Sequence, residues 1–239
     1  MSAEQRPDRK RIDIIDAARG FSVILMVIHH ALFDAVAFLG APSWFFSNPV
    51  FDILHYIFAG LFIFLSGVSS RFSRSNVHRG VKVFALAMVL TIVTSQPFVG
   101  EPIQFGVLHL LGFCMIFYGM TQHIWDRLPK AAAPFIYIAL LVGSALAVDL
   151  IRIDAPYFWI FGWQQPGFYS ADYFPLFPWL FVFLLGTWAG FYIVENKLPK
   201  WFYEKRIAVF PAVGKRALLI YVLHQPILYG IVMLILYIR

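Results

Sequence analysis

Residues 19–34 read RGFSVILMVIHHALFD, and this stretch decides the fold. The apolar run around it covers about 18–39, close to the ~20 residues that a bilayer-spanning helix needs. Arg19 and His30 stand eleven residues apart inside it. Eleven residues is close to three helical turns, so both side chains share one face. At about 1.5 Å per residue, His30 lies roughly 16 Å deeper than Arg19. An ionisable group near mid-membrane is costly and marks a functional site by default.

The rest of the chain repeats the apolar pattern. Of 239 residues, 60% are hydrophobic, 18% are aromatic and only 13% are charged, against about 25% charged in a soluble domain. A soluble globule cannot hide that much apolar surface. Seven segments are long enough to span, at about 18–39, 50–70, 80–98, 105–124, 133–150, 174–194 and 216–237. The expected fold is therefore an all-α, polytopic transmembrane helix bundle, read as one membrane domain over 1–239. Residues 1–17 form a basic head without a small-residue cleavage site, so the first span is expected to be retained. The single cysteine, Cys114, excludes a disulfide framework or a thiolate zinc site within one chain. No G-x-S-x-G elbow, P-loop or G-x-G-x-x-G is present.

Charge sets the orientation. With the N-terminus cytoplasmic, Arg152 and Arg239 are the two exceptions among 19 basic residues; the others fall on the inner side. The C-terminus is then extracytoplasmic. The net charge of +6 follows from topology rather than from nucleic-acid binding. The longest outer loop, about 151–173, is rich in Trp, Tyr, Phe, Gly and Pro. It suits an interfacial aromatic belt, a lid or a carbohydrate-facing surface.

Chemistry is expected where ionisable groups enter the spans. Asp34 lies one turn beyond His30, so a carboxylate can orient the imidazole and raise its basicity, as a general base requires. A buried His–Asp pair holding helices together is the plain alternative. His29 points about 100° away and reads as a packing residue or as one that supports the reacting groups from behind. Arg19 is either a snorkelling anchor or an anion clamp. Arg71, Arg74, Lys82, Lys215 and Arg216 are expected at the same membrane face, where polyphosphate or lipid headgroups would find donors. His224 and Gln225 precede Pro226 inside the last span, where a proline frees a carbonyl one turn back and suggests a kink. Asp52, His55 and His109 enter their spans from the outside, and Asp149 with Arg152 closes the fifth. These groups suit an outer vestibule for an acceptor. No tight ligand spacing such as H-E-x-x-H occurs, so no metal is expected. Gly186-x-x-x-Gly190 and Ser66-Gly67 read as close helix-packing stripes.

Several strings carry a resemblance. RIDIIDAARGFSVILMVIHH resembles the first helix of membrane-embedded acyltransferases. FIFLSGVSS and FGVLHLLGF resemble segments of the heparan-alpha-glucosaminide N-acetyltransferase family, and FPWLFVFLLGTWAG and GKRALLIYVLHQPIL resemble the later helices of its small bacterial members. The match runs from about Arg11 to Gly230. Lysosomal members place a catalytic histidine in the outer loop before the second helix; here that segment, APSWFFSNPVFD, has none. The similar acyltransferase-3 family pairs an arginine with a histidine ten intervening residues later, a spacing that Arg19 and His30 fit, so the resemblance implies His30 as the catalytic histidine, with His55 second.

The resemblance implies an enzyme of the bacterial inner membrane. It would move an acyl group, expected to be acetyl, from cytoplasmic acetyl-CoA or another acyl-CoA to a hydroxyl or amine of a sugar, glycan or lipid-linked acceptor. His30, Asp34 and His224 would be catalytic. Arg19, Arg71, Arg74, Lys82, Lys215 and Arg216 would hold the CoA phosphates. Asp52, His55, His109 and Gln225 would meet the acceptor, with Gln225 and His224 stabilising the developing oxyanion. Membrane lipids are expected partners, nucleic acid is not, and a homodimer is left open. The rival from another class is a proton-coupled transporter or flippase of an anionic or lipid-linked solute.

Overall fold

Asp13 and Asp16 explain where the first helix begins. Carboxylates stabilise the positive end of a helix dipole, and the helix starts at Asp13, five residues before the expected span. The computed structural model describes residues 11–96 and 101–238. Residues 1–10 of the expected basic head, the last two residues of the expected third span, and Arg239 lie outside the described residues.

The described chain is helical, with one isolated backbone bridge between Phe105 and Tyr173. The helices are α1 (Asp13–Leu39), α2 (Trp44–Ser47), α3 (Pro49–Ser70), α4 (Asn76–Thr94), α5 (Val107–Asp126), α6 (Ala133–Leu150), α7 (Leu176–Val194), α8 (Lys200–Glu204), α9 (Phe210–Gly214) and α10 (Ala217–Ile238). Seven of them (α1, α3, α4, α5, α6, α7 and α10) are long and apolar enough to cross a membrane. Large apolar side chains stay exposed along them, for example Phe135 at 74% and Leu234 at 58%. In water that surface would be costly; in lipid it is the expected exterior. Pro226 sits inside α10, which continues through it rather than ending there. α6 stops at Leu150, so Arg152 lies beyond the helix that was expected to pair it with Asp149.

Two compact units divide the chain, with the boundary inside α3. One comprises residues up to Phe62 together with those from Leu198 onward; the other is Ile63–Lys197.

In the first unit, α9 lies against α1 at two glycines. A Cβ on Gly20 would overlap the Phe210 carbonyl oxygen, and one on Gly214 would overlap the Asp16 carbonyl oxygen. Phe21 packs edge-on against both Phe58 of α3 and Phe210 of α9. The short helices before α10 were not foreseen as separate elements, and they brace the entry of α1.

In the second unit, the expected small-residue stripes do bring backbones together. A Cβ on Gly67 would strike the Phe183 carbonyl, and one on Gly186 the Phe64 carbonyl, so α3 and α7 cross in direct backbone contact. α4 and α5 meet the same way, where a Cβ on Gly80 would stand 2.7 Å from the Gly112 carbonyl oxygen.

Candidate functional site

A row of four imidazoles crosses the first unit. His29 and His30 come from α1, His55 from α3 and His224 from α10. The ring centroids of His30 and His224 are 4.8 Å apart, those of His29 and His30 5.8 Å, and those of His29 and His55 4.3 Å. Four of the seven histidines in the chain therefore form one contiguous cluster. His29, which sequence spacing assigned to packing, is the link that joins His55 to the rest.

Backbone carbonyls fix two of these rings. His30 Nδ1 is 3.0 Å from the Met26 carbonyl oxygen, and His224 Nδ1 is 2.6 Å from the Tyr221 carbonyl oxygen. A carbonyl oxygen only accepts, so each Nδ1 carries the hydrogen and donates. In the neutral ring the lone pair then sits on Nε2. Both members of the pair thus share one tautomer, with the basic nitrogen on the far side of the ring.

The expected orientation of His30 by Asp34 is replaced. A side chain on a helix leans toward the N-terminus, so the His30 ring folds back onto the preceding turn and meets Met26 instead. Asp34, buried at 1% exposure, takes hydrogen bonds from Gln225 Nε2 at 3.0 and 3.1 Å to its two oxygens. The Gln225 amide is thereby fixed on Asp34. Its Oε1 is buried and has no partner among the described residues, which leaves an open acceptor there.

Near the start of α1, Arg19 Nη1 donates to Asp16 Oδ1 at 2.8 Å. The Asp16–Arg19 spacing of three residues was legible and allows that pair. Lys215 and Arg216 are exposed between α9 and α10, and Asp52 is exposed in the first turn of α3.

The other expected residues belong to the second unit. Arg71 forks the Asp126 carboxylate at 3.0 and 2.5 Å and donates Nε to the Thr187 carbonyl at 2.9 Å. Its guanidinium also lies 5.4 Å from the Tyr118 ring centroid. Its side chain is only 10% exposed, so it binds helices together rather than projecting into water. Arg74 and Lys82 are exposed at the α3–α4 junction and in α4. His109 is 2% exposed and caps α5. Its Nδ1 accepts from the Gly106 N–H at 3.2 Å, and its Nε2 is 3.0 Å from Thr91 Oγ1, which donates onward to the Ile103 carbonyl.

The loop over 151–173 is a folded aromatic layer. Trp159 stacks on Phe168 with centroids 5.2 Å apart, and the Tyr173 hydroxyl donates to the Trp159 carbonyl at 2.5 Å. The Tyr169 hydroxyl donates to Glu101, whose carboxylate pushes that phenol up to about 12; burial does the same to Tyr173. Both phenols therefore stay neutral and act as donors. Among the described residues, no three His, Cys, Asp or Glu side chains are placed to hold a metal ion.

Comparison with known proteins bears on this geometry. A family model described as heparan-alpha-glucosaminide N-acetyltransferase, catalytic, matches residues 11–226. The matched range contains all four histidines of the row, Asp34 and Gln225. No curated protein and no solved structure matches the chain.

Proposed function

Because the chain belongs to the heparan-alpha-glucosaminide N-acetyltransferase catalytic family, we propose that it moves an acetyl group from acetyl-CoA to an amine or hydroxyl of a sugar or lipid-linked acceptor. The observation that carries this reading is the His30–His224 pair, with both Nδ1 atoms held by carbonyls and the rings 4.8 Å apart. His30 Nε2 takes the proton from the acceptor as its nitrogen or oxygen attacks the thioester carbonyl. The C–S bond breaks, and the departing thiolate takes a proton from the pair through His224. The acceptor proton thus ends on the CoA thiol, and the two imidazoles return to their starting state. The contact of His30 with His224 and its spacing to Arg19 support this role.

Asp34 acts through Gln225, holding α10 against α1 at the depth of the pair. The unpartnered Gln225 Oε1 suits an N–H or O–H of the acceptor. We place the N-terminus on the cytoplasmic side of a bacterial inner membrane, as the basic loops favour. Lys215 and Arg216 then stand on the CoA side and meet its phosphates. Arg19 assists there despite its pairing with Asp16. Within the second unit, exposed Arg74 and Lys82 offer further cations to a phosphate, while Arg71 stays with Asp126 and Thr187. Asp52 and His55 are assigned to the acceptor, while His109 keeps to its place as the cap of α5.

The test is thermal unfolding of the purified protein in detergent with added CoA or acetyl-CoA. A ligand that binds only the folded state raises the midpoint, by about 2.7 kcal/mol of stability at one hundred times its Kd. A clear rise supports the enzyme. No rise with CoA, together with uptake driven by a pH gradient in liposomes, would turn the assignment to a proton-coupled transporter.

A further inference from the structure

Two rings of the histidine row carry no proton in the reaction as written. His29 and His55 touch at 4.3 Å between centroids, tilted by 37°, and His29 lies edge-on to His30 at 5.8 Å. Packing alone does not call for a pair of imidazoles there; two phenyl rings would bury more apolar area at no desolvation cost. Phe46 already supplies that kind of contact, 5.3 Å from His29.

Proton balance supplies the task. A hydroxyl acceptor gives up one proton and the thiolate takes one, so His30 and His224 suffice. An amine acceptor arrives near neutral pH as an ammonium, with one proton more. Ammonium plus thioester gives amide plus thiol plus one free proton. That proton must leave a site enclosed by membrane-spanning helices. We propose that His29 and His55 form the outlet for this extra proton, passing it from His30 toward the start of α3, so that the row serves an amine acceptor. The proposal rests on the acetyltransferase reading.

The geometry favours such a path. Centroid separations of 4.3 and 5.8 Å keep neighbouring rings close enough for a single water to join them. His29, His30 and His55 are half-buried rather than sealed, so each ring keeps an open edge. His55 sits at the seventh residue of α3, and Asp52 stands one turn nearer that helix end, exposed. Other titratable groups around the row are Asp34 with its Gln225 partner, Tyr56 beside His55, and Tyr221 beside His224. Intramembrane rows of this kind are the usual hardware of proton transfer.

The test needs no acceptor. Protein labelled with 15N-histidine is placed in lipid nanodiscs, and ring nitrogens are followed by NMR through a pH titration. Rings that exchange protons in a row titrate as a coupled set. Removing one ring of a coupled set alters the others, so His55→Gln and, separately, His29→Gln should each change the His30 curve. An unchanged His30 curve in both variants overturns the outlet. A kinetic arm follows acetyl-CoA consumption with glucosamine. Each variant should lower kcat at least about tenfold at neutral pH without changing KM for acetyl-CoA, and raising the pH should restore it, since the amine then enters without its extra proton. A loss of equal size at every pH also overturns the proposal. Full turnover by His30→Gln would instead remove the general base, and the coupled titration would still judge the outlet by itself.

Discussion

His30 and His109 are both histidines in membrane-spanning helices, one in each compact unit, and they hold opposite tautomers. His109 sits in the first turn of α5, where helix N–H groups have no helical partner. It accepts from Gly106 N–H through Nδ1 and spends Nε2 on Thr91. His30 sits deep in α1, where the backbone offers only carbonyl oxygens. It donates through Nδ1 to Met26 and keeps its basic nitrogen turned away. The local backbone decides which nitrogen is available, and that separates a cap from a base. The same division runs through the arginines. Arg71 gives its Nε and both terminal nitrogens to Asp126 and Thr187, while Lys215 and Arg216 stay exposed.

The sharpest way to break this comparison is His30→Asn. Asparagine can still donate from Nδ2 to the Met26 carbonyl, so the helix contact survives while the basic nitrogen is lost. Turnover should fall about 10³-fold, the usual range for a lost general base, with little change in unfolding temperature. Turnover within a few-fold of wild type would mean that His30, like His109, only holds structure. His109→Leu should do the reverse. It leaves the buried Gly106 N–H without its acceptor and Thr91 without one partner, at a cost of about 2 kcal/mol. Unfolding followed by circular dichroism in detergent reads that loss. A raised KM for the acceptor in the same variant would return His109 to the substrate side.

Much of the fold was legible because lipid simplifies the code. A bilayer demands long apolar helices, so hydropathy and length alone located all seven spans, with edges shifted by a few residues where caps such as Asp13 intervened. The glycine stripes were legible for the same reason, since small residues permit the backbone contacts seen at Gly67 and Gly186. The short helices α8 and α9 were not, because five residues carry no periodicity to read. Within the site, His30 and His224 stood out by depth. Their partners did not. Spacing along one helix suggested Asp34 for His30, but Gln225 lies 191 residues from Asp34 and only tertiary structure brings them together. His29 was set aside because its face on α1 points away from His30, and the neighbour on that face comes from α3.

The smallest expected effect concerns the exposed cations. Lys215 and Arg216 lie at the start of α10, in the same unit as the histidine row. If they meet the phosphates of CoA, replacing both with Gln removes attraction that acts through water. Exposed charge pairs contribute little each, so KM for acetyl-CoA should rise about three- to fivefold with kcat unchanged. Screening supplies the control. The Debye length shrinks from about 10 Å at 0.1 M salt to about 3 Å at 1 M. The gap between wild type and the double variant should therefore close as salt rises. Arg71→Met provides the contrast, since a guanidinium already spent on Asp126 and Thr187 leaves little for a phosphate, and its loss should appear in unfolding rather than in a salt-dependent KM. A salt-dependent KM for Arg71→Met, with none for the double variant, would move the phosphate contact from the first unit to the second.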